Sequence, residues 1–282
     1  MKLKIILLIL IVALSAAGGF LVWHMNGSTK EQPSATRDEA ATVVVTSAAT
    51  PDEPAATEPT TEPETDRYRA AAEKVEEMAG KQLKNKSKKL DVEELYQLPE
   101  LPTGCESVAL TAALRYLGFD IEKTEIADNY LIYDDDMFLG FVGDPHGNEG
   151  AGIFPPGLTE TANNFLADKE SDYIAVNTMG YSVEELRRFI DNGCPVLVWT
   201  TMSFYEPNVI GGGMFYDDEE YYWYDNEHCM VLIGYDTENN ELTFCDPLNG
   251  IVTCDADHFE WLYDDIGKLS MTIVECKQNE KK

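Results

Sequence analysis

LPTGCESVALTAALRYLG, residues 101–118, decides how the chain is read. Its first letters imitate a cell-wall sorting signal, Leu-Pro-any-Thr-Gly, but one position is missing and no basic tail comes after it. The cysteine leads instead into a helical pattern of apolar residues, stopped by Gly118, the residue type that ends helices in a left-handed conformation. Cys105 therefore stands where a predicted helix begins. Free N–H groups and the helix dipole at such an end favour a thiolate, which makes Cys105 a candidate nucleophile with its pKa expected below the usual value of about 8.5. The alternative use of this cysteine is as a small apolar residue in the core.

A thiol nucleophile needs an imidazole as base and a third group to orient the imidazole. Of the four histidines, His24 abuts an apolar N-terminal run, His146 lies in the loop-like GDPHGNEG, and His258 sits among carboxylates in DADHFEWLYDD. His228 alone opens a strongly apolar strand, HCMVLIGYD, where a polar residue is costly unless it has a role. Asp246 ends the next predicted strand, in ELTFCDP, and can reach back to that imidazole. Gln97, eight residues before Cys105, can donate to the oxyanion of a tetrahedral intermediate, with the Cys105 N–H as second donor.

The segments QLPELPTGCESVALTAALRYLG, EELRRFIDNGCPVLVWTT, EHCMVLIGYD and FCDPLNG, in this order, resemble the papain-like cysteine peptidases related to bacteriocin-leader (double-glycine) processing peptidases. The nearest resemblance is to the stand-alone exported branch of Gram-positive bacteria. It spans roughly Leu90 to Cys276 and implies Cys105 as nucleophile, His228 as base, Asp246 as orienting acid and Gln97 as oxyanion donor. It also implies a papain-like α+β fold, a helical half with the cysteine and an antiparallel sheet with the histidine and aspartate. Transporter-linked members carry an ATP-binding domain, whereas no P-loop GKS or GKT occurs here, so leader processing coupled to export is not expected.

Periodicity places further helices at PPGLTETANNFLA and SVEELRRFIDNG, the latter with a Ser182–Glu185 capping box, and strands at PVLVWTT, HCMVLIGYD, ELTFCDP and SMTIVEC. Helices first and strands later predict an α+β domain. If His228 faced Asp246 directly across an antiparallel pair, Cys229 would face Cys245, Met230 Phe244 and Val231 Thr243, and a Cys229–Cys245 bridge would be strained. The insertion FYEPNVIGGGMFYDDEEYYWYDN before His228 reads either as a decorated loop or as a wall of the cleft that attracts basic peptides. The cysteines show no CxxC spacing, so neither metal nor organic cofactor is expected.

Outside this domain, Ile5 to Trp23 is an apolar run behind a basic MKLK head, long enough to span a bilayer, with LSAAGG as an alternative cleavage site. The expected division is a signal anchor or signal peptide over 1–25, a disordered Thr/Pro/Glu-rich linker over 26–65, a short helix and basic linker over 66–89, the catalytic domain over 90–277 and a tail over 278–282. In the helical segment, Tyr68, Ala71, Ala72, Val75, Met78 and Ala79 recur at helical spacing. The positive head orients the rest of the chain outside the cytoplasm, as a single-pass membrane protein or a secreted one. With 51 acidic against 21 basic residues and a net charge of −30, nucleic acid is not an expected partner. The expected activity is a thiol hydrolase acting on a peptide or isopeptide bond through a thioester, monomeric, on a peptide or protein substrate of cationic or cell-wall character. A transpeptidase or amide ligase, and a silent surface-binding module, are the rivals.

Overall fold

A computed structural model describes residues 62–277. The expected signal anchor or signal peptide, the linker up to residue 61 and the tail from 278 lie outside the described residues. Among the described residues no helix is long and apolar enough to cross a membrane.

The chain is α+β. In order it forms α1 (Glu62–Ala79), β1 (Ser87–Lys89), α2 (Cys105–Tyr116), α3 (Glu125–Asn129), α4 (Pro155–Asp168), β2 (Tyr173–Asn177), α5 (Val183–Asp191) and β3 (Val196–Thr201). The C-terminal part adds β4 (Val209–Tyr216), β5 (Glu219–Tyr224), β6 (Glu227–Asp236), β7 (Glu241–Asp246), β8 (Gly250–Asp255), α6 (Ala256–Asp265) and β9 (Ser270–Glu275). A seven-stranded sheet runs β2-β9-β3-β6-β7-β8, with β1 added beside β6, and all its pairs are antiparallel. A separate β4–β5 hairpin springs from the chain between β3 and β6.

α2 begins at Cys105 as expected, and Gly118 beyond its end has φ +97°. Ten successive residues, Cys105 to Leu114, are buried, so this helix is enclosed on every side rather than amphipathic. The Ser182–Glu185 capping box is formed, with Glu185 N–H donating to Ser182 Oγ and Ser182 N–H to Glu185 Oε2. β3 is buried along its whole length, and Trp199 within it donates from Nε1 to the Ile153 carbonyl at 3.0 Å.

Two expectations are corrected. The folded unit does not begin near Leu90. Ala71, Val75, Met78 and Ala79 of α1 are buried in the common core, while Ala72 is exposed, and the basic stretch ahead of Leu90 supplies β1. Gly234 makes room for β1, since a Cβ there would lie 3.0 Å from the Lys88 carbonyl oxygen and 3.2 Å from Thr243 Cβ. The second correction is the register of β6 on β7. Val231 faces Cys245 and Leu232 faces Phe244, two residues from the expected alignment, with an irregularity before the Gly234–Thr243 pair. A slip of two preserves the face of each side chain, because the pleat alternates with period two. His228 and Asp246 therefore remain on one face and meet diagonally. Cys229 is displaced from Cys245, and all six cysteines are free.

Candidate active site

The site forms where the N-terminus of α2 meets the start of β6 and the end of β7. Gly104 precedes Cys105, and a Cβ there would sit 3.0 Å from Leu101 Cβ and 3.2 Å from Pro145 Cβ. No side chain caps the helix. The Gln97 main chain donates to the Pro247 carbonyl at 2.9 Å, next to Asp246, and its Nε2 donates to the Pro102 carbonyl at 2.8 Å, three residues before Cys105. Gln97 is buried and its Oε1 has no hydrogen-bond partner. One loop thus ties the turn ahead of the cysteine to the strand end that carries the aspartate.

His228 Nε2 lies 2.6 Å from Asp246 Oδ1, and both side chains are only 1 % exposed. Asp246 also accepts from the Leu248 N–H and from Asn249 Nδ2, each at 2.7 Å. Burial pushes the Asp246 carboxyl up, but the hydrogen bonds from His228, Asn249 and Leu248 and the charge of His228 outweigh it and hold the group below its ordinary value. With Nε2 engaged by the aspartate, Nδ1 is the ring nitrogen left for a second partner. His146 pairs with Asp128 and His258 lies against the Phe204 carbonyl, so neither joins this site.

The thiol departs from expectation. Cys105 Sγ donates to Glu106 Oε2 at 3.2 Å rather than forming an ion pair with His228. Burial, then the Glu106 and Glu227 carboxyls, raise the Cys105 pKa well above the ordinary thiol value, although the Cys229 N–H works the other way. The resting sulfur is therefore a protonated thiol. Helix-end stabilisation is outweighed because water is excluded and two acidic groups stand beside the sulfur.

Those two groups were missed in the sequence. Glu106 is fully buried and accepts from the Ile153 N–H at 2.9 Å through its other oxygen, Oε1. Glu227 Oε1 is buried without a hydrogen-bond partner. One ligand atom each from Cys105, Glu106 and Glu227 lie within 4.8 Å of one another, the only grouping among the described residues with spacing suited to a metal ion. Burial raises Glu106, and burial together with the Glu106 charge raises Glu227 well above the carboxylate range. Each stands next in sequence to a candidate site residue, Glu106 after Cys105 and Glu227 before His228, but nothing in the sequence itself marks either as buried.

A family model described as the Peptidase_C39 like family matches residues 89–271. A solved C39-like peptidase from Bacillus anthracis is similar over 69 % of this chain and 100 % of its own, at 27 % identity and a TM-score of 0.60. The uncharacterized protein YvpB of Bacillus subtilis (strain 168) is 33 % identical over a 134-residue alignment that covers 44 % of this chain. The match spans about half of that curated relative, 52 % of its length.

Proposed function

Because the chain belongs to the Peptidase_C39 like family and is a cysteine peptidase, we propose that it hydrolyses a peptide or isopeptide bond through Cys105, His228 and Asp246, with Gln97 as oxyanion donor. The observation that carries this reading is the buried 2.6 Å His228–Asp246 contact beside the β6 strand on which the Cys105 helix packs.

With the thiol protonated at rest, attack is assisted by a general base rather than launched from a preformed thiolate. His228 accepts the Cys105 proton at Nδ1 as sulfur bonds to the substrate carbonyl carbon. The carbonyl oxygen, gaining negative charge, is received by the uncapped Cys105 N–H and an N–H of the Gln97 amide. Asp246 stabilises the imidazolium through Nε2. Collapse breaks the C–N bond, and the imidazolium gives its proton to the departing amine. Water, deprotonated by His228, then opens the thioester and regenerates the thiol. The apolar run and basic head at the N-terminus support action outside the cytoplasm, at the membrane or after secretion.

The test is mass spectrometry of a diverse peptide library and cell-wall peptides incubated with the full chain. Wild type is expected to cleave and Cys105→Ala to be inert. Asp246→Asn is expected to retain the fold while kcat falls by at least about a hundredfold, since the imidazole loses its orienting charge. Cleavage that survives Cys105→Ala overturns the assignment, and mass gain from an added amine would make the enzyme a transferase.

A further inference from the structure

We propose that the outer face of the β4–β5 hairpin is an exosite for the substrate, and that the substrate segment it takes is an extended peptide in which Lys or Arg alternates with large apolar side chains. The word substrate rests on the peptidase reading; the binding surface does not.

The hairpin closes on Asp217 and Asp218, both at positive φ (53° and 67°), the geometry of a tight two-residue connection between twisted strands. Its inner face is anchored. Phe138 stacks on Tyr216 at 4.7 Å and meets Tyr221 edge-on at 4.9 Å, and Tyr221 presses on Gly267, where a Cβ would come within 2.7 Å of its ring. Asn226 closes the neck, accepting from the Asn208 N–H at 2.9 Å and donating to the Glu206 carbonyl at 3.0 Å. The next two residues are Glu227 and His228, so the hairpin is a fixed wall beside the reacting groups.

The outer face has no partner within the described residues. Phe215 faces Glu220 across the ladder and Tyr222 faces Gly212, whose missing side chain lets the Tyr222 ring lie over it. Phe215, Glu220 and Tyr222 thus share one face, and Phe215 is 64 % exposed. Tyr205, Val209 and Ile210, on the same excursion of chain, are exposed as well. Exposed large apolar side chains on a fixed element are the kind of surface that a partner covers.

Charge selects the occupant. Between Met202 and Asn226 stand six carboxylates, Glu206, Asp217, Asp218, Glu219, Glu220 and Asp225, and no Lys, Arg or His. None of the six forms a salt bridge among the described residues, although carboxylates elsewhere in the domain do. A second copy would set six negative charges against six, and an anionic lipid surface would be repelled in the same way. A peptide with alternating cationic and apolar side chains satisfies both features, its apolar set seated on Phe215 and Tyr222 and its cations on the flanking carboxylates.

The test uses the full chain carrying Cys105→Ala, so that binding is read without cleavage. The probe is a synthetic Lys-Leu alternating peptide of about twelve residues, long enough to overrun the eight-residue β4. Controls are a Glu-Leu peptide and a Lys-Ser peptide of equal length, read by calorimetry. The Lys-Leu peptide is expected to bind at least about tenfold more tightly than either control and to weaken with salt. Phe215→Ser with Tyr222→Ser, and separately Glu220→Lys, are each expected to lower that affinity at least about tenfold with an unchanged circular dichroism spectrum, since all three side chains are exposed and share the outer face. Equal binding of the Glu-Leu peptide, or indifference to either the aromatic pair or Glu220→Lys, overturns the proposal. So does concentration-dependent dimerisation or vesicle binding that Phe215→Ser with Tyr222→Ser abolishes. Tight binding to the hairpin with no cleavage of any peptide by the wild-type chain would sink the peptidase reading and leave the binding surface standing.

Discussion

At the residue scale, burial and then the pair of glutamates beside Cys105, the proposed nucleophile, hold its thiol pKa above the ordinary value. Two neighbouring carboxyl groups shielded from water do not readily ionise together, and each negative charge also opposes formation of a thiolate. Glu227→Gln removes one charge and keeps the shape. The rate of Cys105 alkylation by iodoacetamide, measured against pH by peptide mass spectrometry, is expected to rise only above the ordinary thiol range in wild type. In Glu227→Gln that rise is expected at lower pH. A profile unaffected by Glu227→Gln would show that the carboxyl pair does not control the sulfur. This control was illegible in the sequence for a definite reason. Glu106 reads as an ordinary acidic residue in a helix's first turn, where the dipole favours it, and nothing local says that the first turn of α2 is buried. His228, Asp246 and Cys105 were legible because each is a polar or reactive residue at the end of an apolar element, a local signal. Their pairing distances depend on registers that are not local.

At the element scale, α1 and the β6–β7 pair show where local pattern stops being informative. The apolar spacing of α1 was sufficient to predict a helix but not to say what it covers. The helix lies over α5, β2 and β9, with Arg67 donating to the Ser171 carbonyl at 2.6 Å and Lys74 to the Glu275 carbonyl at 2.5 Å. Met78 is 3 % exposed, and Met78→Ala is expected to cost about 2–5 kcal/mol in urea denaturation, the range for truncating a buried methionine. A loss below about 0.5 kcal/mol would mean that α1 is an appendage. In α5, Ser182→Ala is expected to cost about 1 kcal/mol by removing the side-chain half of the capping box. The hairpin escaped prediction because its turn is Asp-Asp, without the glycine that usually announces positive φ at both positions. The β6–β7 register slipped by two because a direct His–Asp facing was assumed, whereas a diagonal neighbour is within reach of a long side chain and keeps the same face.

At the scale of the whole molecule, acidity sets the conditions in which the fold is firmest, and the buried site adds its own signs. Glu106 and Glu227 have folded pKa values raised above their ordinary 4.5, so the folded state holds protons there more tightly than the unfolded chain. Their contribution to stability is fully present below that value and is lost as pH rises through the raised values. Asp246 has the opposite sign. Its folded pKa is lowered from 3.8, so its contribution is present above that value and is lost as pH falls through the lowered one. Superimposed on both is the self-repulsion of a chain with net charge −30, which relaxes as surface carboxylates begin to protonate and as salt screens them. Thermal stability is therefore expected to peak on the acid side of neutrality, above the range in which Asp246 protonates, and to decline towards pH 8. Added sodium chloride is expected to raise Tm most at the alkaline end, where the surface charge is greatest. Glu227→Gln is expected to flatten the alkaline decline without altering the salt effect, because the pair is shielded from solvent and the surface is not. Scanning calorimetry of wild type and Glu227→Gln across pH 4–8 at two salt concentrations separates the two contributions. If the alkaline decline is as steep in Glu227→Gln as in wild type and vanishes in salt, surface repulsion alone accounts for it, and the buried carboxyl pair contributes nothing to the pH dependence.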